Sequence, residues 1–364
     1  MRTSFLAWLA LALACGQDGL DDVTTGSTGG TTGTTTAAPT GAATGSSAAD
    51  STTEANTSSG TRPTDAASEA TGEDSDGGLP TPAELLPAAT YDCAAAGPFV
   101  ARARPYQGLC HSDSTCQSPL VVAHRFGALF APENSLSALR AAILLGVDVA
   151  ESDLRLTADG HVVLLHDPTV DRTTDGSGAV ATMTLAEVQA LHLEPMPAHT
   201  PGDFSCDRVP SLAEAVALAA GQIALELEVK TSAAGVAAAE YLRDLGLPEG
   251  VYLRCDPSEC AAIRTAVADA RIMTIPAAGE AAGSTAAEPP PVVVRVDPAL
   301  FDAAALASIA AIGAKSSLST LGDRDAVAAQ GQLSTYSDLY TQGLGMLLTE
   351  WPHLVLLELG RLEP

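Results

Sequence analysis

Lysine is almost missing from this chain. Only Lys230 and Lys315 occur among its 364 residues, and 18 lysines and arginines face 44 aspartates and glutamates. The formal net charge of −26 repels a phosphate backbone, which argues against nucleic acid as a partner and for a small or zwitterionic substrate. The N-terminal apolar run, residues 5–14, is too short to cross a bilayer as a permanent helix. No glycine-rich phosphate fingerprint follows the first strand-like run, so an open nucleotide-binding sheet lacks its main signature. No cysteine spacing suits a zinc site. Large apolar residues are nearly absent from 16–90, a Thr/Gly/Ser/Ala-rich stretch that cannot bury enough surface to offset the cost of ordering its backbone.

What is present begins with an export signal. One Arg precedes the run 5–14, and "ALA" stands before Cys15. The same bond is cut at an ordinary small-residue site or at a lipobox-like one, where Cys15 is lipidated and becomes the mature N-terminus. The lipidated reading is preferred because the disordered linker 16–90 follows directly. A coil of about 75 residues spans roughly 50 Å root-mean-square, enough to lift a domain off a membrane. These features predict an exported protein held by a lipid anchor as a lipoprotein on a bacterial cell envelope. Cys93, Cys110, Cys116, Cys206, Cys255 and Cys260 form an even set in an exported chain and predict disulfides. "CDPSEC" can close a short loop between Cys255 and Cys260, and the remaining connectivities stay open. Three of these cysteines fall in an N-terminal extension, 91–117, ahead of the main domain, 118–364.

In the main domain, apolar and often β-branched runs alternate with Ala/Leu-rich helical patterns. The strand-like runs are "PLVVAHRF", "VDVAESDLRL", "HVVLLHD", "IALELEVK", "GVYLRC", "RIMTIP", "VVVRVD", "KSSLSTL" and "GMLLTE". Strand–helix alternation predicts a parallel sheet, and about 247 residues suit an α/β fold closed as a TIM-type (β/α)8 barrel. Nine runs leave one surplus, expected to be "RIMTIP" or "VVVRVD".

In such a barrel, reactive side chains sit at the C-terminal ends of strands. His124 and Arg125 end the first run, Glu151 and Asp153 occupy the second, His166 ends the third, and Glu228 and Lys230 end the fourth. Glu151 and Asp153 are two apart on a strand, so they face the same way. The segment "LRLTADGHVVLLHD" is too short for a helical crossover. It is expected to descend from Asp153, turn at "ADG" at the bottom of the barrel and climb back, bringing His166 beside the acids.

In this order the motifs resemble those of the glycerophosphodiester phosphodiesterases over about 118–362. "AHRFGALFAPENS" is similar to the family's His-Arg opening with Pro-Glu-Asn further on. "GVDVAESDLRLTADGHVVLLHDPTVDRTTDGSG" resembles its acid-x-acid strand, turn and His-Asp strand. "LELEVK" and "LLTEWPHLV" resemble later strands. The resemblance implies a barrel with a small insertion after the third strand, about 168–210. It implies one divalent cation, Ca²⁺ or Mg²⁺, held by Glu151, Asp153 and Glu228, and two catalytic histidines, His124 and His166. Arg125 and Lys230 match residues expected near the phosphate. Three departures stand out: Phe126 where the family usually has Gly after His-Arg, Glu350 where Asp is usual, and no Ser-Phe ending on "VYLRC".

The chemistry is coherent on its own terms. A phosphodiester repels nucleophiles and has a poor alkoxide leaving group. Three carboxylates suit a hard cation, which neutralises phosphoryl oxygens. Arg125 and Lys230 add fixed positive charge, and two histidines supply a general base and a general acid. The expected reaction is hydrolysis of a glycerophosphodiester to glycerol 3-phosphate and an alcohol. The resemblance also allows a route through a cyclic phosphate formed by the glycerol 2-hydroxyl. A related barrel phosphodiesterase acting on lysophospholipids or sphingomyelin is one alternative, and a non-catalytic surface binding protein is another. A strand-end histidine is often only a hydrogen-bonded structural residue, and its motif is what lifts His124 above that. His111, His161, His192, His199 and His353 lack such a context. Glu226 is the in-register neighbour of Glu228, and the Glu-Val-Lys order favours Glu228 as the ligand.

Overall fold

The computed structural model describes residues 79–100, 110, 113, 115–195, 202–276 and 289–362. The export run, Cys15 and most of the predicted linker lie outside the described residues, as do His111 and His199. Nine strands are described: β1 (Leu120–Ala123), β2 (Val149–Leu156), β3 (Val162–Leu164), β4 (Ala224–Val229), β5 (Val251–Cys255), β6 (Ile272–Thr274), β7 (Val293–Arg295), β8 (Lys315–Ser319) and β9 (Met346–Thr349). The helices are α1 (Pro82–Leu85), α2 (Leu136–Leu145), α3 (Leu185–Gln189), α4 (Leu212–Ala219), α5 (Ser232–Asp244), α6 (Pro257–Ala266), α7 (Ala303–Ala311), α8 (Asp323–Ala328), α9 (Ser334–Thr341) and α10 (Pro352–Glu358).

Eight strands pair in parallel in the order β1-β2-β4-β5-β6-β7-β8-β9, and β9 returns to β1 to close a TIM-type barrel. Side-chain alternation sorts the strand residues into two layers. Leu120, Val122, Val149, Ala224, Tyr252 and Met273 share the barrel interior. Their neighbours Val121, Ala150, Leu225 and Leu253 point outward and pack with the helices. Polar caps start those helices where the chain leaves the sheet: Ser135, Ser211, Thr231 and Asp256 each accept from a backbone N–H in the first turn. Gly146 ends α2 at φ 77°, a left-handed conformation that a side chain resists.

The surplus strand is β3, and both β6 and β7 belong to the barrel. β3 runs antiparallel on the far end of β2, with Leu154 opposite Leu164 and Leu156 opposite Val162. Its apolar character comes from packing under the insertion, where Val163 and Leu165 meet Val170, Val180 and Val188. The direction of this hairpin is the reverse of the expected one. β2 does not descend after Asp153, and its residues 155 and 156 pair only with β3. The "ADG" turn is therefore the tip of a hairpin projecting beyond the C-terminal rim. The return still brings the chain level with the acids, since Leu165 N donates to Asp153 O at 3.0 Å.

Composition assigns 16–90 to the linker, but residues 82–90 are folded. Thr81 and Glu84 form a reciprocal capping box on α1, and Leu86 is buried in the main core. Tyr91 is buried beside it, and its hydroxyl donates to Phe130 O at 3.0 Å. The six cysteines other than Cys15 are paired, as Cys93–Cys206, Cys110–Cys116 and Cys255–Cys260. The first ties the N-terminal extension to the insertion across 113 residues, a long loop whose closure restricts the unfolded chain most. Cys110 joins the barrel interior near the N-terminal strand ends, where buried Lys315 donates from Nζ to Cys116 O at 2.5 Å.

Candidate active site

The inward positions of the barrel change character towards the C-terminal rim. On β2 the order is Val149, Glu151, Asp153; on β4 it is Ala224, Glu226, Glu228; on β5 it is Tyr252 then Arg254. Strand register sets Asp153 beside Glu228 and Glu228 beside Arg254. The result is a ring of charge on an apolar plug.

Glu151, Asp153 and Glu228 bring one carboxylate oxygen each within 4.8 Å of one another. Glu151 and Asp153 are fully buried and Glu228 is partly exposed. Three hard oxygen donors around one point fit a cation such as Ca²⁺ or Mg²⁺. Asp153 Oδ1 is buried, and the Lys230 ammonium stands 2.8 Å from it as an ion pair. Lys230 also donates to Glu228 Oε1 at 2.6 Å. Burial pushes the Asp153 carboxyl up, but Lys230 and the Asn134 amide outweigh it and hold it below the usual range.

Two histidines stand above the acids, each with a carboxylate on Nδ1. His124 Nδ1 lies 2.7 Å from Glu350 Oε1, and His166 Nδ1 lies 2.8 Å from Asp167 Oδ1. A carboxylate accepting from Nδ1–H fixes the ring and leaves Nε2 for proton transfer. Burial pushes His124 down, yet the hydrogen bond to Glu350 and the charges of Glu151 and Glu350 more than offset it, so its pKa is raised.

"PEN" holds this arrangement from behind. Asn134 Nδ2 donates to Asp153 Oδ2 at 3.1 Å, while Ser152 Oγ donates to Asn134 Oδ1 at 2.7 Å. Glu133 accepts two bonds from Arg125 Nη1, both at 2.9 Å, and two from Arg172 at 2.8 and 2.7 Å. Arg172 in turn grips Asp167, the partner of His166, from Nε at 2.7 Å. Arg125 therefore enters the site already clamped.

All seven sequence-predicted site residues meet at this rim: His124, Arg125, Glu151, Asp153, His166, Glu228 and Lys230. Glu226 stays off the carboxylate trio, accepting from Tyr252 Oη at 2.9 Å and Arg254 Nη1 at 3.1 Å. Sequence reasoning missed Arg254, which is 3% exposed and also donates from Nη2 to Glu151 Oε1 at 3.0 Å. It missed the parts of Glu133, Asn134 and Arg172 as well. Arg254 had a signal: in "VYLRC" it shares the inward parity of buried Tyr252. Acids outnumber cations around it. Burial would lower its pKa, but Glu151 and Glu226 hold it charged, while burial and Glu151 push Glu226 up. The remaining described histidines stand apart. His161 is exposed, His192 pairs with Asp175 at 2.8 Å, and buried His353 packs on Phe130 with its pKa lowered to about 4 by burial.

Phe126 does not narrow the pocket. Its ring is 0% exposed and belongs to the core between barrel and helices, although its backbone sits at φ 66° where glycine would rest easily. Phe126→Gly would relieve about 1–2 kcal/mol of left-handed strain. It would also remove an aromatic ring from the core, a change that costs about 3–5 kcal/mol in Phe→Ala substitutions. The cavity wins, and a net loss of about 2 kcal/mol is expected by urea denaturation. A variant as stable as wild type would mean that the ring is not packed in the core.

The sequence model of the glycerophosphoryl diester phosphodiesterase family matches residues 124–245. That stretch contains all seven predicted site residues, whereas Arg254 and Glu350 lie beyond it. Among curated proteins the chain is similar to glycerophosphodiester phosphodiesterase 1 of Bos taurus, 46% identical over 97 residues, covering 26% of this chain and 29% of that one. It is also similar to a glycerophosphodiester phosphodiesterase of Caldanaerobacter subterraneus, 50% identical over 72 residues, covering 20% of this chain and 30% of the relative. The matched region thus spans less than a third of either relative. Among solved structures, the fold is similar to a glycerophosphodiester phosphodiesterase from Agrobacterium tumefaciens, with a TM-score of 0.55 at 21% identity over 65% of this chain and 99% of that one. A phosphodiesterase from Oleispira antarctica, solved with the product sn-glycerol-3-phosphate, superposes with a TM-score of 0.54 at 23% identity, covering 68% of this chain and 99% of its own. Over residues 124–245 the chain is similar in sequence to the glycerophosphoryl diester phosphodiesterase family, and its barrel shares the fold of the solved structures.

Proposed function

We infer that this protein hydrolyses glycerophosphodiesters to glycerol 3-phosphate and an alcohol. The observation that carries this reading is the pair of histidines, each fixed at Nδ1 by a carboxylate, over a trio of converging acids. Glu151, Asp153 and Glu228 would hold the divalent cation, which when bound supplies charge neutralisation for the phosphoryl oxygens and eases deprotonation of the attacking hydroxyl. The Arg125 guanidinium, clamped by Glu133, adds a fixed positive charge without reorganisation during the reaction. His124 and His166 use Nε2. One takes the proton of the attacking oxygen while the other gives a proton to the departing alcohol oxygen. In a two-step route the glycerol 2-hydroxyl attacks first, and water then opens the cyclic phosphate with the two histidines exchanging roles. A bulky ring beside the phosphate site would favour other substrates such as lysophospholipids, but Phe126 is buried in the core and places no ring there.

The export signal and three disulfides support a protein working outside the cytoplasm, tethered through Cys15. The test is release of glycerol 3-phosphate from glycerophosphocholine by the oxidised full chain, with Ca²⁺, with Mg²⁺ and with chelator. Release that chelator abolishes and added metal restores is expected. No release by the folded protein with either metal would sink the reading.

A further inference from the structure

Two cations already sit among the acids that would hold the metal: Lys230, on Asp153 and Glu228, and Arg254. Arg254 is buried on β5, and its Nη2 donates to Glu151 Oε1 at 3.0 Å and lies against Glu228 Oε2. Two of the three carboxylates of the cluster are thus engaged by one guanidinium. Its other terminal nitrogen, Nη1, rests 3.1 Å from Glu226 Oε1, an acid outside the trio that Tyr252 Oη also holds. Arg254 therefore has an anchor of its own, independent of the two acids it shares.

We propose that Arg254 is a resident counter-ion of the carboxylate cluster, competing with the divalent cation for Glu151 and Glu228 and so making this a low-affinity, readily exchanged metal site. The inference rests on reading Glu151, Asp153 and Glu228 as metal ligands. The physical argument is direct. A guanidinium hydrogen-bonded to Glu151 and in contact with Glu228 neutralises lone pairs that a metal needs, and its charge repels a second cation nearby. Without metal, the same contact keeps two inward acids from facing each other uncompensated. A site of this kind fills only where the cation is abundant, as it is outside the cell. Dissociation constants of extracellular calcium modules, about 10⁻⁴–10⁻³ M, set the expected range.

The test is calorimetric titration of Ca²⁺ into the oxidised full chain, with the Asp153→Asn variant titrated in parallel to subtract binding by the acidic surface. Wild type is expected within that extracellular range. Arg254→Gln should bind Ca²⁺ about tenfold tighter or more, since it frees Glu151 Oε1 and Glu228 Oε2 and removes a repelling charge, while Lys230 stays on Glu228 Oε1. Because that variant strands Glu226 in the core, the double substitution Arg254→Gln with Glu226→Gln is measured too. It removes the Glu226 charge together with that of Arg254 and keeps the net charge of the site, so tighter binding there separates competition for ligands from bulk electrostatics. Unchanged or weaker affinity in the folded variants overturns the proposal. A wild-type dissociation constant at or below about 10⁻⁵ M overturns it whatever the variants do. An isotherm that Asp153→Asn leaves unaltered would instead remove the metal assignment on which it rests.

Discussion

His124→Ala is expected to lower kcat on glycerophosphocholine by about 10²–10⁴-fold with little change in KM, the usual contribution of one acid/base group. The geometry gives a finer expectation for its partner. Glu350 holds His124 Nδ1 at 2.7 Å, and burial alone would push the imidazole towards its neutral form. The raised pKa of His124 depends on Glu350, through the hydrogen bond and the charge, together with the charge of Glu151. Glu350→Gln removes the Glu350 charge and keeps the shape. The limb of the pH–rate profile that belongs to His124 should therefore move to lower pH. A group acting as acid would lose activity at lower pH than before, and one acting as base would gain it earlier. Alanine at 124 without effect on kcat, or a profile unmoved by Glu350→Gln, would show that this histidine does not handle the proton.

How much of this was legible in the sequence depends on what sets each feature. The barrel was legible because strand–helix alternation is local, and every strand-like run became a strand. The identity of the surplus strand was not. A three-residue apolar run reads the same whether it is buried inside a barrel or under an insertion, and periodicity does not report the direction of pairing. The hairpin was inverted for a related reason. With eight residues rising about 3.3 Å each, β2 outruns the four of β1, and strand length relative to the rim has no local signal. The linker boundary failed at α1, where Thr81 and Glu84 form a capping box within a composition that otherwise reads as a tether. Among the site residues, those at strand ends were found from position and resemblance. Arg254 was passed over because an arginine in an apolar strand looks like an exposed edge until register puts it beside Glu228. Glu133 and Asn134 were seen as a motif, but their roles needed the third dimension.

Glu133 should prove the most sensitive of these positions for stability. Its side chain is 3% exposed and accepts from two guanidiniums at once, Arg125 and Arg172. Burial pushes its carboxyl up, but the Arg172 hydrogen bonds and the charges of both arginines outweigh that and hold the pKa below its ordinary 4.5. Glu133→Gln keeps the volume and removes the charge, leaving two cations facing each other across an amide. Breaking a buried ion network by removing one member costs about 3–5 kcal/mol. The low end is expected here, because Arg172 is 43% exposed and can turn to solvent. A depressed carboxylate pKa contributes stability that is fully present above the unfolded value and is lost as pH falls through the folded one. The gap between wild type and variant should therefore be full at neutral pH and close on acidification. Activity should fall as well, since Arg125 loses its clamp and Arg172 loses one of the two anchors from which it holds Asp167 against His166. Urea denaturation at neutral and acid pH, with kcat measured on the same preparations, checks both parts. A variant within about 0.5 kcal/mol of wild type, the range of ordinary surface substitutions, would mean that solvent already satisfies these arginines.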